Sequence, residues 1–219
     1  MKNCPFCAEY LDASGSQFYL DVGKQIGCES RILLETDNWY VIPTMGSLTV
    51  GYVLLVTKQH YLSLANLSRE VFFEMLELKK RVEERLFRQL GMGCLTFEHG
   101  TVNSFSKGAN SVDHVHVHML PFAQSIWQDI VSDMPKTYFE VVDSYEALYD
   151  AWQKRLPNSY LLFQDVNQKI YYISDASNMP SQLFRKCLAP HLGADCWDWR
   201  SECYSDNIVQ TMKLFERMK

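Results

Sequence analysis

The stretch Asp113-His114-Val115-His116-Val117-His118-Met119-Leu120-Pro121 sets three of the chain's six histidines at alternate positions. A repeat of two belongs to a β-strand, in which alternate side chains share a face at ~6.6–6.8 Å from one to the next. Val115, Val117 and Met119 then point the other way, into a core. The pattern over residues 112–120 therefore reads as a row of imidazoles on an apolar-backed strand. One histidine in such a place is ordinarily a hydrogen-bonded core or surface residue. Three in register point instead to metal binding or catalysis, because burying three imidazoles without partners is costly.

That strand needs neighbours. Residues 31–34 and 39–42 read as two strands around the turn Glu35-Thr36-Asp37-Asn38, and residues 51–57 (GYVLLVT) as a third after the break at 43–47. Residues 93–98 read as a fourth, joined to the histidine strand by a polar, glycine-containing loop. Between them, Val71, Met75, Leu78, Val82, Leu86 and Leu90 step by three or four, which predicts an amphipathic helix over 69–90 with Ser68 as N-cap and Gly91 beyond its end. Pro135 marks a junction. Past it, 138–142, 160–166 and 169–174 read as strands, with Asn167-Gln168 as a hairpin turn, and 180–192 and 204–218 as helices. The regular strand–helix alternation of a parallel sheet is missing, so the class is antiparallel α+β, with a catalytic domain over 1–134 and an α/β extension over 135–219.

Composition narrows the function. With 21 basic and 26 acidic residues the formal charge is −5, which argues against a broad nucleic-acid surface but leaves room for a small anion in one pocket. The longest apolar run, 52–56, is too short to span a bilayer, and MKNCPFCAEYLD lacks an apolar leader core, so a cytoplasmic protein is expected. Seven irregularly spaced cysteines do not make a secreted disulfide framework. Cys4-Pro5-Phe6-Cys7 reads as a metal or redox pair, and Cys28, Cys94, Cys187, Cys196 and Cys203 as packing residues.

Two chemistries fit the imidazole row. One is a metal centre like the H-x-H-x-D-H of metallo-β-lactamase-like hydrolases, but here Asp113 precedes the row, so the order does not match. The other is attack by neutral imidazole on a phosphate, giving a nucleotidyl-histidine that water or another acceptor resolves. His114-Val115-His116-Val117-His118-Met119-Leu120 resembles the H-φ-H-φ-H-φ-φ signature of the histidine triad superfamily at every position, φ being apolar. Asn110-Ser111-Val112 is similar to its G-[QN]-S-V lead-in, with Ala109 in place of the glycine, and Gly51 to His60 to its G-x-hydrophobic-strand-K-x-H segment. The likeness covers roughly residues 1–121.

The resemblance implies a five-stranded antiparallel sheet with helices, and a homodimer that joins two such sheets. It implies His116 as nucleophile, His118 at the scissile phosphate, and Asn110 and Ser111 among the phosphate donors. The activity implied is hydrolysis of a nucleotide conjugate or dinucleoside polyphosphate at its α-phosphate. Nucleotidyl transfer or phosphorolysis through the same adduct, and nucleotide binding without turnover, are the alternatives. One branch, including galactose-1-phosphate uridylyltransferase-like members, also begins with a C-x-x-C pair. By that likeness Cys4, Cys7, His60 and His114 hold one structural zinc.

The pattern departs from the family in two places. Residues 42–47 carry no carboxylate where nucleotide-binding members commonly place one for the ribose. Phe97-Glu98-His99-Gly100 stands where Asn-x-Gly is usual, bringing Glu98 and His99 near the phosphate site by homologous position. His99 is there either an acid–base group or an exposed loop residue, and Lys107 either a phosphate contact or a solvated lysine. In the tail, Gln182 and Arg185 either reach the active site or belong to a helix start capped at Ser181 and followed by an aromatic clamp.

Overall fold

The computed structural model describes residues 4–102, 112–132 and 139–216. In chain order its elements are α1 (Pro5–Leu11), α2 (Lys24–Ile26), β1 (Leu34–Glu35), β2 (Trp39–Pro43), β3 (Val53–Thr57), α3 (Arg69–Leu90), β4 (Gly93–Thr101) and β5 (His116–Phe122), then α4 (Trp127–Ser132), β6 (Glu140–Val142), α5 (Tyr145–Lys154), β7 (Ser159–Gln164), β8 (Ile170–Ile173), α6 (Leu183–His191) and α7 (Ser205–Glu216). The strands form one antiparallel sheet in the order β1-β2-β3-β5-β4-β7-β8-β6. The class is the expected α+β. The five strands expected from the first part are all present, and three from the tail extend the same sheet.

Alternation along each strand sorts side chains into two buried layers. Val41, Val53, Leu55, Val117, Met119 and Leu162 face α3 and α5. On the opposite face, Leu95, Phe97, Leu161 and Phe163 pack toward α4 and α6, while Tyr40, Ile42 and Leu54 pack on α1. Helix α3 keeps the bounds read from its periodicity. Ser68 Oγ accepts from Val71 N–H, and Gly91 ends the helix at φ 68°. The first strand shrinks to two residues, and α1 and α5 had no counterpart in the sequence reading.

Strand β4 joins the two parts. It pairs with β5 over Gly93–Phe97 and with β7 over Thr96–Thr101. Both edges of β4 are thus occupied within the chain, and the outer strands of the sheet are the two-residue β1 and the three-residue β6. The second pairing also explains the Glu-His-Gly element. Gly100 faces Tyr160 in the register, and a Cβ there would lie 2.0 Å from Tyr160 Cζ. The phenol crosses that gap and donates to Glu98 Oε2 at 2.5 Å, while Leu64 N–H donates to Oε1 at 3.0 Å. Glu98 thus lies in the core on the face away from the histidines, correcting its expected place beside the phosphate.

Burial drives the Glu98 carboxyl up to about 8, against the pull of its two donors. The unfolded chain ionises this group near 4.5, so its contribution to stability is full below that pH and is lost as pH rises through about 8. Each pH unit in this window costs up to about 1.4 kcal/mol. Glu98→Gln is expected to flatten that decline in denaturant midpoint between pH 5 and 8. An unchanged slope would show that Glu98 does not carry it.

Candidate functional site

The first cluster gathers at the N-terminal end of β5. Cys4 and Cys7 flank the start of α1, where Pro5 occupies the first turn and needs no N–H donor. Their sulfurs lie 3.3 and 3.5 Å from His114 Nδ1, and Cys7 Sγ lies 3.4 Å from His60 Nδ1. The four donor atoms fall within 4.8 Å of one another. His114 sits just before β5 and not in it, with its Nε2 2.9 Å from the Thr57 carbonyl and 3.0 Å from the Thr57 hydroxyl. Donation to that carbonyl puts the ring proton on Nε2 and leaves the Nδ1 lone pair facing the sulfurs, the arrangement a ligating histidine requires. Burial holds His114 down at about 4, so it is neutral. Burial and the neighbouring Cys4 thiol push Cys7 up to about 11. The Cys7 thiol resists ionising until a cation supplies the opposing charge, and a donor set of two sulfurs and two imidazoles fits a soft divalent metal.

The second cluster lies two residues on. His116 and His118 share one face of β5, their ring centroids 5.0 Å apart. The Nδ1–H of His116 donates to the His114 carbonyl at 2.7 Å, which leaves Nε2 with its lone pair. His118 stacks on Phe97 with centroids 4.4 Å apart, and its Nδ1 lies 2.8 Å from the Tyr52 hydroxyl. Burial lowers both histidines. His118 falls well below the usual range, with the charges of His116, Arg185 and His99 adding to burial. Both rings are thus neutral near pH 7.

These rings open on a cavity of about 590 Å³ lined also by Glu9, Arg31, His99, Gln182, Arg185 and Trp199. Arg31 holds the Glu9 carboxylate in two bonds of 2.6 and 2.7 Å and donates to the Pro43 carbonyl at 2.6 Å. The tail supplies another part of the wall. Arg185 donates to the carbonyls of Trp197 at 2.9 Å and Gly46 at 2.6 Å. Gly46 has φ 64°, and a Cβ there would lie 2.6 Å from Trp199 Cα.

A family model described as the HIT domain matches residues 26–125. The chain carries a histidine triad domain. Similar solved structures include a Hit-like protein involved in cell-cycle regulation from Bartonella henselae, 15% identical, covering 71% of this chain and 96% of that one at a TM-score of 0.42. A histidine triad nucleotide-binding protein from Candida albicans is 18% identical over 69% of this chain and 94% of its own, at 0.39. Yeast Ap4A phosphorylase Apa2, solved with AMP, is 13% identical over 66% of this chain and 59% of its own, at 0.40. None of the curated proteins matches the chain.

Within and around the histidine triad domain the structure brings together Cys4, Cys7, His60 and His114 in one cluster, and His99, His116, His118, Gln182 and Arg185 around one cavity. His99 belongs to β4 and not to an exposed loop. Asn110, Ser111 and Lys107 lie outside the described residues. Gln182 spends its amide within the tail, donating to Asp198 at 2.8 Å and accepting from Trp199 N–H at 3.3 Å. The sequence reading missed Tyr52, Thr57 and the Glu9–Arg31 pair. Their signal is the register of β3 against β5, with Leu54 opposite His118, which no local pattern reveals.

The cluster is expected to hold about one tightly bound metal ion per chain. Cys4→Ser is expected to lose it along with a few degrees of melting temperature, since coordination is linked to folding. Metal analysis beside thermal denaturation checks both. Metal-free protein from a reducing, chelator-free preparation would remove the site.

Proposed function

We propose that this chain is a nucleotidyl-phosphate hydrolase of the histidine triad type. It attacks the α-phosphate of a nucleotide conjugate or dinucleoside polyphosphate through His116. The observation that carries the reading is the fixed tautomer of His116: with Nδ1–H bonded to the His114 carbonyl, the Nε2 lone pair is the free one, on a ring that lines the cavity. Nε2 forms the N–P bond as the bond from phosphorus to the leaving oxygen breaks, the electron pair staying on that oxygen, which takes a hydrogen bond from the Nε2–H of His118. Water then attacks phosphorus, the N–P bond breaks with its pair returning to Nε2 of His116, and the proton lost by the water passes to the solvent, so both histidines return to their starting state. His99, Gln182 and Arg185, with Asn110 and Ser111, are the proposed substrate and phosphate contacts. A cavity of about 590 Å³ supports a ligand larger than a lone phosphate.

A nucleotidyltransferase or phosphorylase shares every residue named, differing only in whether water or a phosphate resolves the adduct. Binding without turnover is the third reading, and the neutral, oriented pair His116 and His118 speaks against it. Zinc is the proposed ion of the Cys4, Cys7, His60 and His114 cluster, since two thiolates and two imidazoles suit it in a closed tetrahedral site. The ion supplies structural anchoring there, and these residues hold the N-terminus against β5. Residues 1–134 are proposed as the catalytic domain and 135–219 as its extension. Seven free cysteines support a cytoplasmic setting, and among the described residues no helix is long and apolar enough to cross a membrane.

His116→Ala is expected to lower turnover of a fluorogenic adenosine phosphoramidate and of a dinucleoside polyphosphate by at least about 10³-fold, with the melting temperature held. Orthophosphate added to the wild type separates the outcomes: a nucleoside diphosphate product marks phosphorolysis, and a monophosphate marks hydrolysis. Wild-type kcat in the variant would rule out the covalent route.

A further inference from the structure

Strand β5, the turn before β3, and helix α6 of the extension converge on His118. The Tyr52 hydroxyl meets His118 Nδ1 at 2.8 Å, and the Arg185 guanidinium carbon lies 5.5 Å from the centroid of the Tyr52 ring. Tyr52 is fully buried and Arg185 is 2% exposed. The guanidinium is fixed by its bonds to the carbonyls of Trp197 and Gly46, while its Nη1 has no hydrogen-bond partner among the described residues.

We propose that Arg185 is a positioning residue that acts through Tyr52 on His118, directing the Tyr52 proton onto Nδ1 and so placing the ring proton of His118 on Nε2. The argument concerns which way the phenol points. A phenolic hydroxyl can donate to an imidazole nitrogen or accept from it, and a guanidinium can only donate. Donation from the Arg185 guanidinium pulls on the Tyr52 hydroxyl against its burial, so the phenol oxygen turns its lone pairs to Arg185 and its hydrogen to His118. A neutral imidazole that accepts at Nδ1 carries its proton at Nε2. That proton is the one the leaving oxygen needs, so the inference rests on the reading of the site proposed above. No carboxylate takes part, which distinguishes this arrangement from the usual carboxylate-held histidine.

The other groups facing His118 are consistent with one neutral tautomer. They are Phe97 stacked on its ring, His116 beside it on β5, and His99 on β4. Burial pushes Tyr52 up to about 12, so it stays a donor throughout the working range. The extension thereby governs a proton in the first part of the chain without itself delivering one.

Imidazole nitrogen NMR on the full-length, metal-loaded protein tests this without substrate. The wild type is expected to show His118 as a single neutral form with its proton on Nε2. Tyr52→Phe removes the donor with little change of shape and is expected to give a mixture of the two tautomers. Arg185→Met is expected to do the same, and Arg185→Lys, which keeps a cation, to restore the single form. In turnover, Tyr52→Phe is expected to slow adduct formation roughly tenfold, less than the ~10²–10³-fold lost when a donor aimed at developing charge is removed outright. A wild-type proton on Nδ1, or an unchanged tautomer in folded Arg185→Met, overturns the proposal. If Arg185→Met does not fold, Tyr52→Phe decides: an unchanged tautomer there overturns it, and a mixture supports it. A chain that turned over nothing would sink the proposed reaction while leaving the tautomer result intact.

Discussion

Strand β4 carries hydrogen bonds on both edges, and the remaining architecture depends on that double pairing. An open nine-residue edge invites pairing with another chain. Here the tail closes it with β7, whose six residues are all buried. The consequences appear on both faces at once. On one, Tyr160 passes over Gly100 to reach Glu98, drawing the carboxyl into the core. On the other, Leu161 and Phe163 extend the apolar floor on which α6 rests, and α6 delivers Arg185 to Tyr52. Burying side chains of this size stabilises by roughly 1.5–3 kcal/mol each. The tail is therefore part of the same folding unit as the cavity it walls.

Charge inside this molecule is sparse and placed with care. His114, His116 and His118 are all held neutral by burial, and Glu98 is raised to about 8 by the same cause. Arg185 is the exception among the groups around His118: a buried cation that donates to backbone carbonyls, with no carboxylate partner among the described residues. Neutral imidazoles beside a guanidinium that has no carboxylate partner among the described residues suit an anion, because a negative ligand gains from the cation. Arg31, the other buried arginine of the cavity, is already satisfied by Glu9 and serves to pin α1.

Legibility in the sequence followed the range of the interaction. Helix α3 was readable to the residue because its signals are local: a repeat of three and four, a serine cap and a terminal glycine. The tail hairpin was readable for the same reason, Gln168 taking φ 65° at its turn. That the tail joins β4 was not, since pairing between residues some sixty positions apart leaves no local trace. The row of three histidines was read as one strand face, yet His114 leaves the ladder. The ring must reach Cys4 and Cys7, and its own amide bonds to the Val112 carbonyl instead of a strand partner. Glu98 was placed on the wrong face because position in a family pattern does not report which way a strand side chain points, whereas the alternation with Phe97 and His99 does.

The departure of His114 from the strand links the two clusters. Its imidazole belongs to the thiol cluster while its backbone carbonyl accepts the Nδ1–H of His116. One residue thus holds a position on the metal-binding side with its ring and sets a tautomer on the cavity side with its main chain. Thr57 completes the link, receiving His114 Nε2–H at the end of β3, the strand whose Leu54 and Val56 stand opposite His118 and His116. Any cation in the cluster fixes the ring, the ring fixes the carbonyl, and the carbonyl fixes which nitrogen of His116 is free. A cation held there would act by orientation, its four protein donors leaving no position for water, while the groups lining the cavity would be imidazoles.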